Sequence, residues 1–208
     1  MRASRTLVVV FAKAPHAGKV KTRLAAAIGA DEAARLHARL VRHAVATAVA
    51  ADCGPVELHG APPGNAFLRT LARRYGLRVR GQADGDVGRR MFQAFRRGLR
   101  AHSRMILIGS DCPALTAADL RLAARLLRSA DAVIVPAEDG GYPLLGLARN
   151  SPAVFKGVPW STAKVMSETR QRFAALGWRW RELRMLWDID RPADLLRLRS
   201  ERLLARRP

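Results

Sequence analysis

The sequence predicts an α/β fold in which a mainly parallel sheet is flanked by helices. Short apolar runs rich in β-branched residues alternate along the chain with longer helical patterns, which is typical of sheets whose strands are joined by helical crossovers. The chain has 208 residues, of which 49% are hydrophobic and 26% are charged, enough for one sizeable core. No repeat or linker interrupts the alternation. We therefore expect a single domain spanning residues 1–208.

Three strand-and-helix pairs are predicted in the first half of the chain. The strands are short apolar runs at residues 6–12, 56–60 and 77–80. The helices are alanine-rich or amphipathic and cover residues 31–51, 65–75 and 85–102. Asp31 and Asn65 belong to residue types that cap helices, so we expect them at the starts of the first two. A basic loop is predicted between the first strand and the first helix.

Four further strands are predicted in the second half, at residues 105–108, 132–137, 142–147 and 178–186. Thr116 and Asp119 form the pattern of a capping box, which predicts a helix after the first of these strands. Ser161 is expected to cap a helix that ends at Gly177. Pro192 is expected to open the last helix in its first turn.

The apolar segments argue against a membrane protein. No apolar run approaches the roughly 20 residues that a membrane-spanning helix requires. The run from Leu7 to Ala12 ends at Lys13 and is followed by further cations, so we interpret it as a buried strand of a cytoplasmic protein and not as a signal peptide. Cys53 and Cys112 fit no metal or redox spacing, and no disulfide is expected.

Charge is the largest departure from an average composition. The chain has 37 basic and 17 acidic residues, a formal net charge of +20. Such a charge favours polyanions or phosphorylated ligands, although a solvated basic surface without a specific partner explains it equally well. A basic nucleic-acid-binding protein is an alternative function. The absence of a recognised nucleic-acid motif or a clustered aromatic face argues against it.

The loop after the first predicted strand is the first candidate site. It carries four cations around Gly18, namely Lys13, Lys19, Lys21 and Arg23. Backbone N–H groups at a helix start, together with lysine and arginine side chains, bind phosphate groups well. The loop is not a P-loop, because Lys13 replaces the first glycine of that motif and Val20 replaces its hydroxyl residue. A solvated cationic loop is the alternative interpretation.

Carboxylates follow two of the later strands. Asp111 comes directly after the strand at 105–108, and Asp188 and Asp190 follow the last predicted strand. Mg²⁺ is usually held by one or two carboxylates together with substrate phosphates, so Asp111 with Asp188 or Asp190 could hold a divalent cation. The alternative roles are a turn or cap for Asp111 and a helix cap for one of the other two.

A glycine pair lies between these acids, in the segment Glu138-Asp139-Gly140-Gly141-Tyr142. Two glycines allow a ligand to approach the backbone closely, which makes Asp139 and Tyr142 candidate substrate contacts. A hairpin turn is the competing explanation of the same pattern.

In order along the chain, these segments resemble a bacterial family of nucleotide-diphospho-sugar transferase-like proteins, described as radical-SAM- or selenodomain-associated transferases or glycosyltransferases. The segments that carry the resemblance are A-K-A-P-x-x-G-K-V-K-T-R-L from Ala12, D-V-G-R-R-M from Asp86, G-S-D-C-P-A-L from Gly109, A-E-D-G-G-Y from Ala137, P-W-S-T from Pro159 and D-I-D-x-P-A-D-L from Asp188. The resemblance covers nearly the whole chain. It implies a single Rossmann-like domain of the GT-A fold, shared by glycosyltransferases and nucleotidylyltransferases.

The resemblance also implies roles for individual residues. Nucleotide binding is assigned to Lys13, Gly18, Lys19, Gln82, Asp86 and Arg90. Catalysis is assigned to Lys21, Arg23 and Asp139, and Lys21 and Arg23 are expected to bind the nucleotide phosphates together with Lys13. The substrate side is assigned to Gly140, Gly141, Tyr142, Trp160 and Ser161. Mg²⁺ or Mn²⁺ is assigned to Asp111 with Asp188 or Asp190.

We therefore expect a metal-dependent transferase that acts on a nucleoside triphosphate or a nucleotide sugar and a small-molecule acceptor. Glycosyltransferases similar to this family commonly carry an Asp-x-Asp pair after the central strand, whereas this chain has Ser110-Asp111-Cys112 there. The single acid favours nucleotidyl transfer with release of pyrophosphate. Glycosyl transfer from a nucleotide sugar remains the alternative reaction.

Overall fold

One seven-stranded sheet forms the centre of the structure, a computed structural model that describes residues 3–201 and residue 204. The strands of this described part are β1 Ala3–Lys13, β2 Val56–Ala61, β3 Arg78–Gly81, β4 His102–Ile108, β5 Ala132–Val135, β6 Leu144–Leu147 and β7 Trp180–Glu182. They lie in the order β3-β2-β1-β4-β6-β5-β7. The sheet is mostly parallel because β6 alone among these strands runs antiparallel to both of its neighbours.

Helices cover both faces of the sheet. They are α1 Thr22–Ile28, α2 Ala30–Ala50, α3 Ala66–Arg74, α4 Val87–Ala101, α5 Ala117–Leu126, α6 Val165–Ala175 and α7 Pro192–Ser200. Helices α2, α3 and α5 pack on one face, and α4 and α6 on the other. The α/β fold class predicted from the sequence is therefore confirmed. None of the helices in the described residues is both long enough and apolar enough to cross a bilayer.

The apolar run in β1 shows why a strand of this sheet has no polar face. Val8 and Val10 pack into the core under α2, whereas Val9 and Phe11 pack into the core under α4. Since successive side chains point to opposite faces, both sets must be apolar when both faces are covered. Burial of each such side chain contributes about 1.5 to 3 kcal/mol.

Several predicted helix starts are confirmed by their hydrogen bonds. The Asn65 side chain accepts from the backbone N–H groups of Phe67 and Leu68 at the start of α3. Thr116 and Asp119 form the predicted capping box of α5. Pro192 is the first residue of α7.

Other local predictions are wrong. The segment predicted as a basic loop contains the start of the short helix α1. Gly29, at φ 81°, separates α1 from α2. Asp31 therefore lies inside α2 and does not cap this helix. Ser161 does not cap α6, which begins at Val165. The last strand is short, covering residues 180–182.

The order of the strands creates a crevice at one edge of the sheet. From β1 the chain moves outward through β2 and β3 and then crosses to β4 on the other side of β1. Parallel β1 and β4 both end at this edge, and ligands of open α/β sheets bind where the strand order reverses in this way. The ends of β1 and β4 therefore mark the position of the candidate site.

Candidate functional site

A cleft of about 660 Å³ lies at the carboxyl ends of β1 and β4. Its volume falls in the range of about 300 to 1,000 Å³ found for small-molecule sites. Nine residues predicted from the sequence line it: Lys13, Lys19, Lys21, Arg23, Gln82, Arg90, Asp111, Ser161 and Asp190. The fold thus brings the cationic loop, the residue that follows β3 and the acids of two later segments to one place.

Lys21 connects three segments at the floor of the cleft. Its ammonium lies 2.8 Å from Asp111 Oδ1 and donates to the Ile189 carbonyl at 2.5 Å. Only 4% of the side chain is exposed. Lys21 also precedes α1 with φ 49°, a left-handed conformation that costs a non-glycine residue about 1–2 kcal/mol. Strained backbone of this kind persists where surrounding contacts fix it, and here those contacts are the two acceptors of the ammonium.

Arg23 and Asp190 form the outer ion pair of the cleft. The Arg23 guanidinium lies 2.5 Å from Asp190 Oδ2, and the Arg23 side chain is exposed whereas that of Asp190 is half-buried. Asp190 does not cap α7 through its side chain. Asp194 does so instead, because its carboxylate accepts from the backbone N–H groups of Asp190 and Arg191. Asp190 is thus held by a cation of the first loop.

Asp111 lines the cleft and forms an inner acidic pair with Asp188, which does not itself line the cleft. The backbone N–H of Ile189 donates to the Asp111 carbonyl at 2.9 Å, which ties the two segments together. Asp188 Oδ1 is buried and has no hydrogen-bond partner among the described residues. Burial, reinforced by the charges of Asp111 and Asp139, raises the pKa of Asp188 to about 7. A cation close to Asp188 would offset both effects.

Asp111 and Asp188 are suited to hold a divalent cation that a bound ligand also coordinates. Asp111 and Asp188 provide the carboxylate oxygens that Mg²⁺ and Mn²⁺ accept. Within residues 3–201, however, no three acidic, histidine or cysteine side chains are grouped closely enough to hold an ion. The protein therefore offers a partial coordination shell, which phosphate oxygens and water would complete.

His37, on α2, is a residue of the cleft that the sequence analysis missed. Its Nε2 lies 3.1 Å from the Lys13 carbonyl oxygen, and its Nδ1 lies 3.8 Å from Asp111 Oδ1. The side chain is 5% exposed, and burial lowers the pKa of the ring. No motif marks this histidine, because only the packing of α2 against the end of β1 brings it to the acids.

Gln82 lies in the cleft at the end of β3. Its side-chain nitrogen donates to the carbonyl oxygens of His59 at 2.9 Å and Ala12 at 3.4 Å. Carbonyl groups only accept hydrogen bonds, so these contacts fix the amide nitrogen and leave Oε1 available as an acceptor. Gln82 is therefore able to accept a hydrogen bond from a ligand in the cleft.

The glycine-pair segment forms a turn beside the cleft. Gly141 N–H donates to Asp139 Oδ1 at 2.8 Å, and Gly140, at φ 85°, packs against the backbone of Ala163. Tyr142 packs into the core under α4 and α6, and its buried hydroxyl has a raised pKa because of desolvation. The structure thus supports the turn interpretation and does not bring Tyr142 to the wall of the cleft.

Four further predicted residues lie near the cleft but not on its wall. Asp86 caps α4 by accepting from Arg89 N–H at 2.7 Å. Trp160 covers Gly88 in the first turn of α4, where its ring leaves no room for a Cβ atom. Gly18 adopts φ 73° in the loop after β1. Asp139 acts electrostatically on Asp188 and is exposed.

Known structures share this fold. The chain has 30% identity and a TM-score of 0.82 to a protein of Desulfovibrio desulfuricans G20 that is provisionally named a nucleotide-diphospho-sugar transferase, covering 91% of this chain and 84% of that one. No protein among the curated ones matches the sequence.

More distant structures belong to two classes of enzyme. A CMP:2-keto-3-deoxy-manno-octonic acid synthetase, complexed with CTP, has 12% identity and a TM-score of 0.63, covering 96% of this chain and 98% of that one. A glucosyl-3-phosphoglycerate synthase of Mycobacterium tuberculosis, in complex with Mn²⁺, UDP and glucosyl-3-phosphoglycerate, has 13% identity and a TM-score of 0.52, covering 97% and 78%. At these identities the likeness concerns the fold alone.

A family model described as "Uncharacterized protein conserved in bacteria (DUF2064)" matches residues 40–162, which is more than half of the chain. The matched region contains α3, α4, β4 and the glycine-pair segment. The chain therefore belongs to the DUF2064 family, and its fold is that of the nucleotide-sugar transferases.

Proposed function

We propose that this protein is a metal-dependent transferase that uses a nucleotide-activated substrate and transfers a nucleotidyl group with release of pyrophosphate. The observation that carries the proposal is the meeting of cations and carboxylates in one cleft. Lys13, Lys21 and Arg23 come from the loop after β1, and Asp111 and Asp190 come from two distant segments. Polyphosphate chemistry needs both types of group, because the cations neutralise phosphate oxygens and the carboxylates hold a divalent ion.

The phosphates are proposed to bind along the cationic loop. Lys19 and Lys13 are exposed at the entrance to the cleft, whereas the Lys21 ammonium lies at its floor beside Asp111. Arg23 presents a planar guanidinium, whose paired donors match two phosphate oxygens. Positive charge would then lie along the length of a bound triphosphate.

The nucleoside is proposed to bind at the end of the cleft formed by Gln82 and Arg90. Because the side-chain nitrogen of Gln82 donates to two backbone carbonyls, its Oε1 is available at this end of the cleft. This oxygen can accept a hydrogen bond from a base or a ribose hydroxyl. Arg90 donates from Nε to the Gly85 carbonyl at 2.8 Å, so its side chain is anchored at the start of α4. Asp86 supports this end by capping α4, and Gly18 shapes the loop after β1.

Catalysis is proposed to rest on positioning and charge neutralisation. Lys21 and Arg23 would stabilise negative charge that develops on the phosphates, and the bound Mg²⁺ or Mn²⁺ would supply further charge neutralisation. Asp139 is exposed near Asp188 and is proposed to face the acceptor, together with Gly140, Gly141, Trp160 and Ser161. The acceptor's phosphate or hydroxyl oxygen would attack the α-phosphorus, and pyrophosphate would leave.

Glycosyl transfer from a nucleotide sugar is the second candidate. The provisional name of the D. desulfuricans protein favours it, as does the complex of the M. tuberculosis synthase with UDP and Mn²⁺. The presence of one carboxylate, Asp111, directly after β4 favours nucleotidyl transfer instead. Identification of the phosphorus-containing leaving group by ³¹P NMR tests the proposal, because pyrophosphate and a nucleoside diphosphate give different spectra.

A further inference from the structure

The orientation of the His37 ring is fixed by the backbone of β1. A carbonyl oxygen can only accept a hydrogen bond, so the contact with the Lys13 carbonyl at 3.1 Å places a proton on Nε2. In the neutral imidazole that binds metals, Nδ1 then carries the lone pair. This nitrogen is buried and has no hydrogen-bond partner among the described residues.

This lone pair faces a carboxylate oxygen. His37 Nδ1 and Asp111 Oδ1 are 3.8 Å apart. Two such acceptors repel each other unless a cation lies between or beside them. The Lys21 ammonium is a cation beside Asp111, because it contacts Asp111 Oδ1 and donates to the Ile189 carbonyl. Neither contact provides a donor for His37 Nδ1.

The pair has the features of two ligands of one ion. Ligands bound at about 2.0 to 2.2 Å to the same ion lie about 3 to 4 Å apart, a range that includes the observed 3.8 Å. Histidines that bind metals commonly donate their other ring N–H to a backbone carbonyl, as His37 does to Lys13. Asp190, by contrast, is engaged by Arg23.

We propose that His37 is a ligand of the divalent cation, through Nδ1, together with Asp111. The inference rests on the proposed function, because it assigns a further residue to the metal site of that reaction. An imidazole nitrogen favours first-row transition ions, in the order Mn²⁺ < Fe²⁺ < Co²⁺, over Mg²⁺, which prefers oxygen. The assignment therefore predicts that Mn²⁺ binds this site more tightly than Mg²⁺ does.

Pulsed electron paramagnetic resonance of Mn²⁺ bound to the purified protein tests the assignment. Spectra are recorded with Mn²⁺ alone and with Mn²⁺ and inorganic pyrophosphate. The wild type should show a coupling from one directly bound nitrogen, and His37→Gln should lose it. Glutamine is chosen because its amide can still donate to the Lys13 carbonyl but has no counterpart of Nδ1.

His102→Gln is the matched control. His102 also has a buried Nδ1 without a partner among the described residues, but it lies where β4 begins, at the opposite edge of the sheet. This variant should keep the nitrogen coupling. Calorimetry provides a second readout, in which the ratio of Mn²⁺ to Mg²⁺ affinity should fall about tenfold or more in His37→Gln and stay constant in His102→Gln.

The outcomes separate this inference from the proposed function. A nitrogen coupling that persists in His37→Gln overturns the inference, and so does Mn²⁺ binding that shows no coupling in the wild type or does not depend on Asp111. Pyrophosphate release accompanied by such spectra would leave the proposed function intact. If His37→Gln does not fold, single substitution of the other four histidines assigns the coupling by elimination. The coupling must then survive in all four variants.

Discussion

The Lys21 ammonium lies 2.8 Å from Asp111 Oδ1, in a contact that joins the loop after β1 to the end of β4. An ammonium as buried as this one is destabilising by several kcal/mol unless it is paired, and Asp111 provides that pairing. The same carboxylate is the one proposed to hold a divalent cation. Lys21 and the cation thus compete for Asp111, and a phosphate that binds Lys21 should favour binding of the metal.

Substitution of the inner acids should weaken metal binding. With a nucleoside triphosphate present, we expect Asp111→Asn to lower Mn²⁺ affinity about tenfold or more in calorimetry, because asparagine removes the charge but keeps the shape. Asp52→Asn is the control, since Asp52 is exposed where α2 ends. Unchanged affinity in both Asp111→Asn and the Asp188→Asn/Asp190→Asn double variant would refute the metal role of these residues.

Loss of single cations from the first loop should weaken nucleotide binding. Arg23→Ala and Lys13→Ala should each reduce the affinity for a triphosphate or a nucleotide sugar by about 1.5 to 3 kcal/mol, the range for hydrogen bonds to charged groups. Arg128→Ala, an exposed site just before β5, should have little effect. An equal loss in all three variants would mean that a diffuse basic field binds the ligand.

The alternative function, nucleic-acid binding, would use the same net charge of +20 and can be tested separately. Filter binding with RNA at two salt concentrations should show weak association. Tight binding with a steep dependence on salt would favour the nucleic-acid alternative, because release of counterions drives such complexes.

Gly140 should be intolerant of a side chain. Its φ of 85° is costly for other residues, and an added Cβ would lie 2.2 Å from the Ala163 carbonyl oxygen. We expect Gly140→Ala to lower the free energy of unfolding by about 2 kcal/mol or more in a denaturant titration. Gly64→Ala is the control, because a Cβ added there would meet nothing within 4 Å and the φ of Gly64 is not positive. Equal stability of the two variants would contradict the packing described for the turn.

Glu57 should stabilise the fold in a pH-dependent way. Burial alone would raise its pKa, but hydrogen bonds from His59 and Arg80 prevail and lower it to about 2. A carboxyl whose folded pKa is depressed contributes its full stabilisation above its ordinary pKa of 4.5, and loses it as the pH falls from about 4.5 to about 2. Glu57→Gln should therefore cost on the order of 2 kcal/mol at pH 7 and clearly less at pH 3.5.

The control for this comparison is Glu32→Gln, which removes an exposed ion pair with Arg35. Exposed pairs contribute little, so its effect on unfolding should be small at both pH values. A Glu57→Gln cost that is the same at pH 7 and pH 3.5 would contradict the depressed pKa.

The sequence was sufficient for the architecture because its signals are local. The β-branched run of β1 and the caps at Asn65 and Thr116 act within a few residues, and the structure bears them out. Ser161 failed as a cap because its φ of 64° belongs to a turn that packs beside Trp160, which is a tertiary requirement. Helix α1 was missed because it has only seven residues and follows directly on the cations of the loop, which resemble a phosphate-binding segment.

The candidate site was only partly predictable, for a related reason. Residues that directly follow strands, such as Asp111 and the loop cations, reach the cleft because parallel strands end at one edge. His37 lies in the middle of a long helix, and nothing in its neighbourhood in the sequence indicates the contact with Asp111. The ion pair of Arg23 with Asp190 likewise joins residues 167 positions apart in the sequence. It depends on the path of the chain just before α7.

Identification of the leaving group distinguishes nucleotidyl transfer from glycosyl transfer. The protein is incubated with Mg²⁺ or Mn²⁺, pooled nucleoside triphosphates or nucleotide sugars, and a cell extract as source of acceptors, with Asp111→Asn as the inactive control and Asp52→Asn as the active one. We predict pyrophosphate, formed from a triphosphate by the wild type and by Asp52→Asn but not by Asp111→Asn. Release of a nucleoside diphosphate from a nucleotide sugar, with no pyrophosphate from any triphosphate, would contradict nucleotidyl transfer and establish a glycosyltransferase.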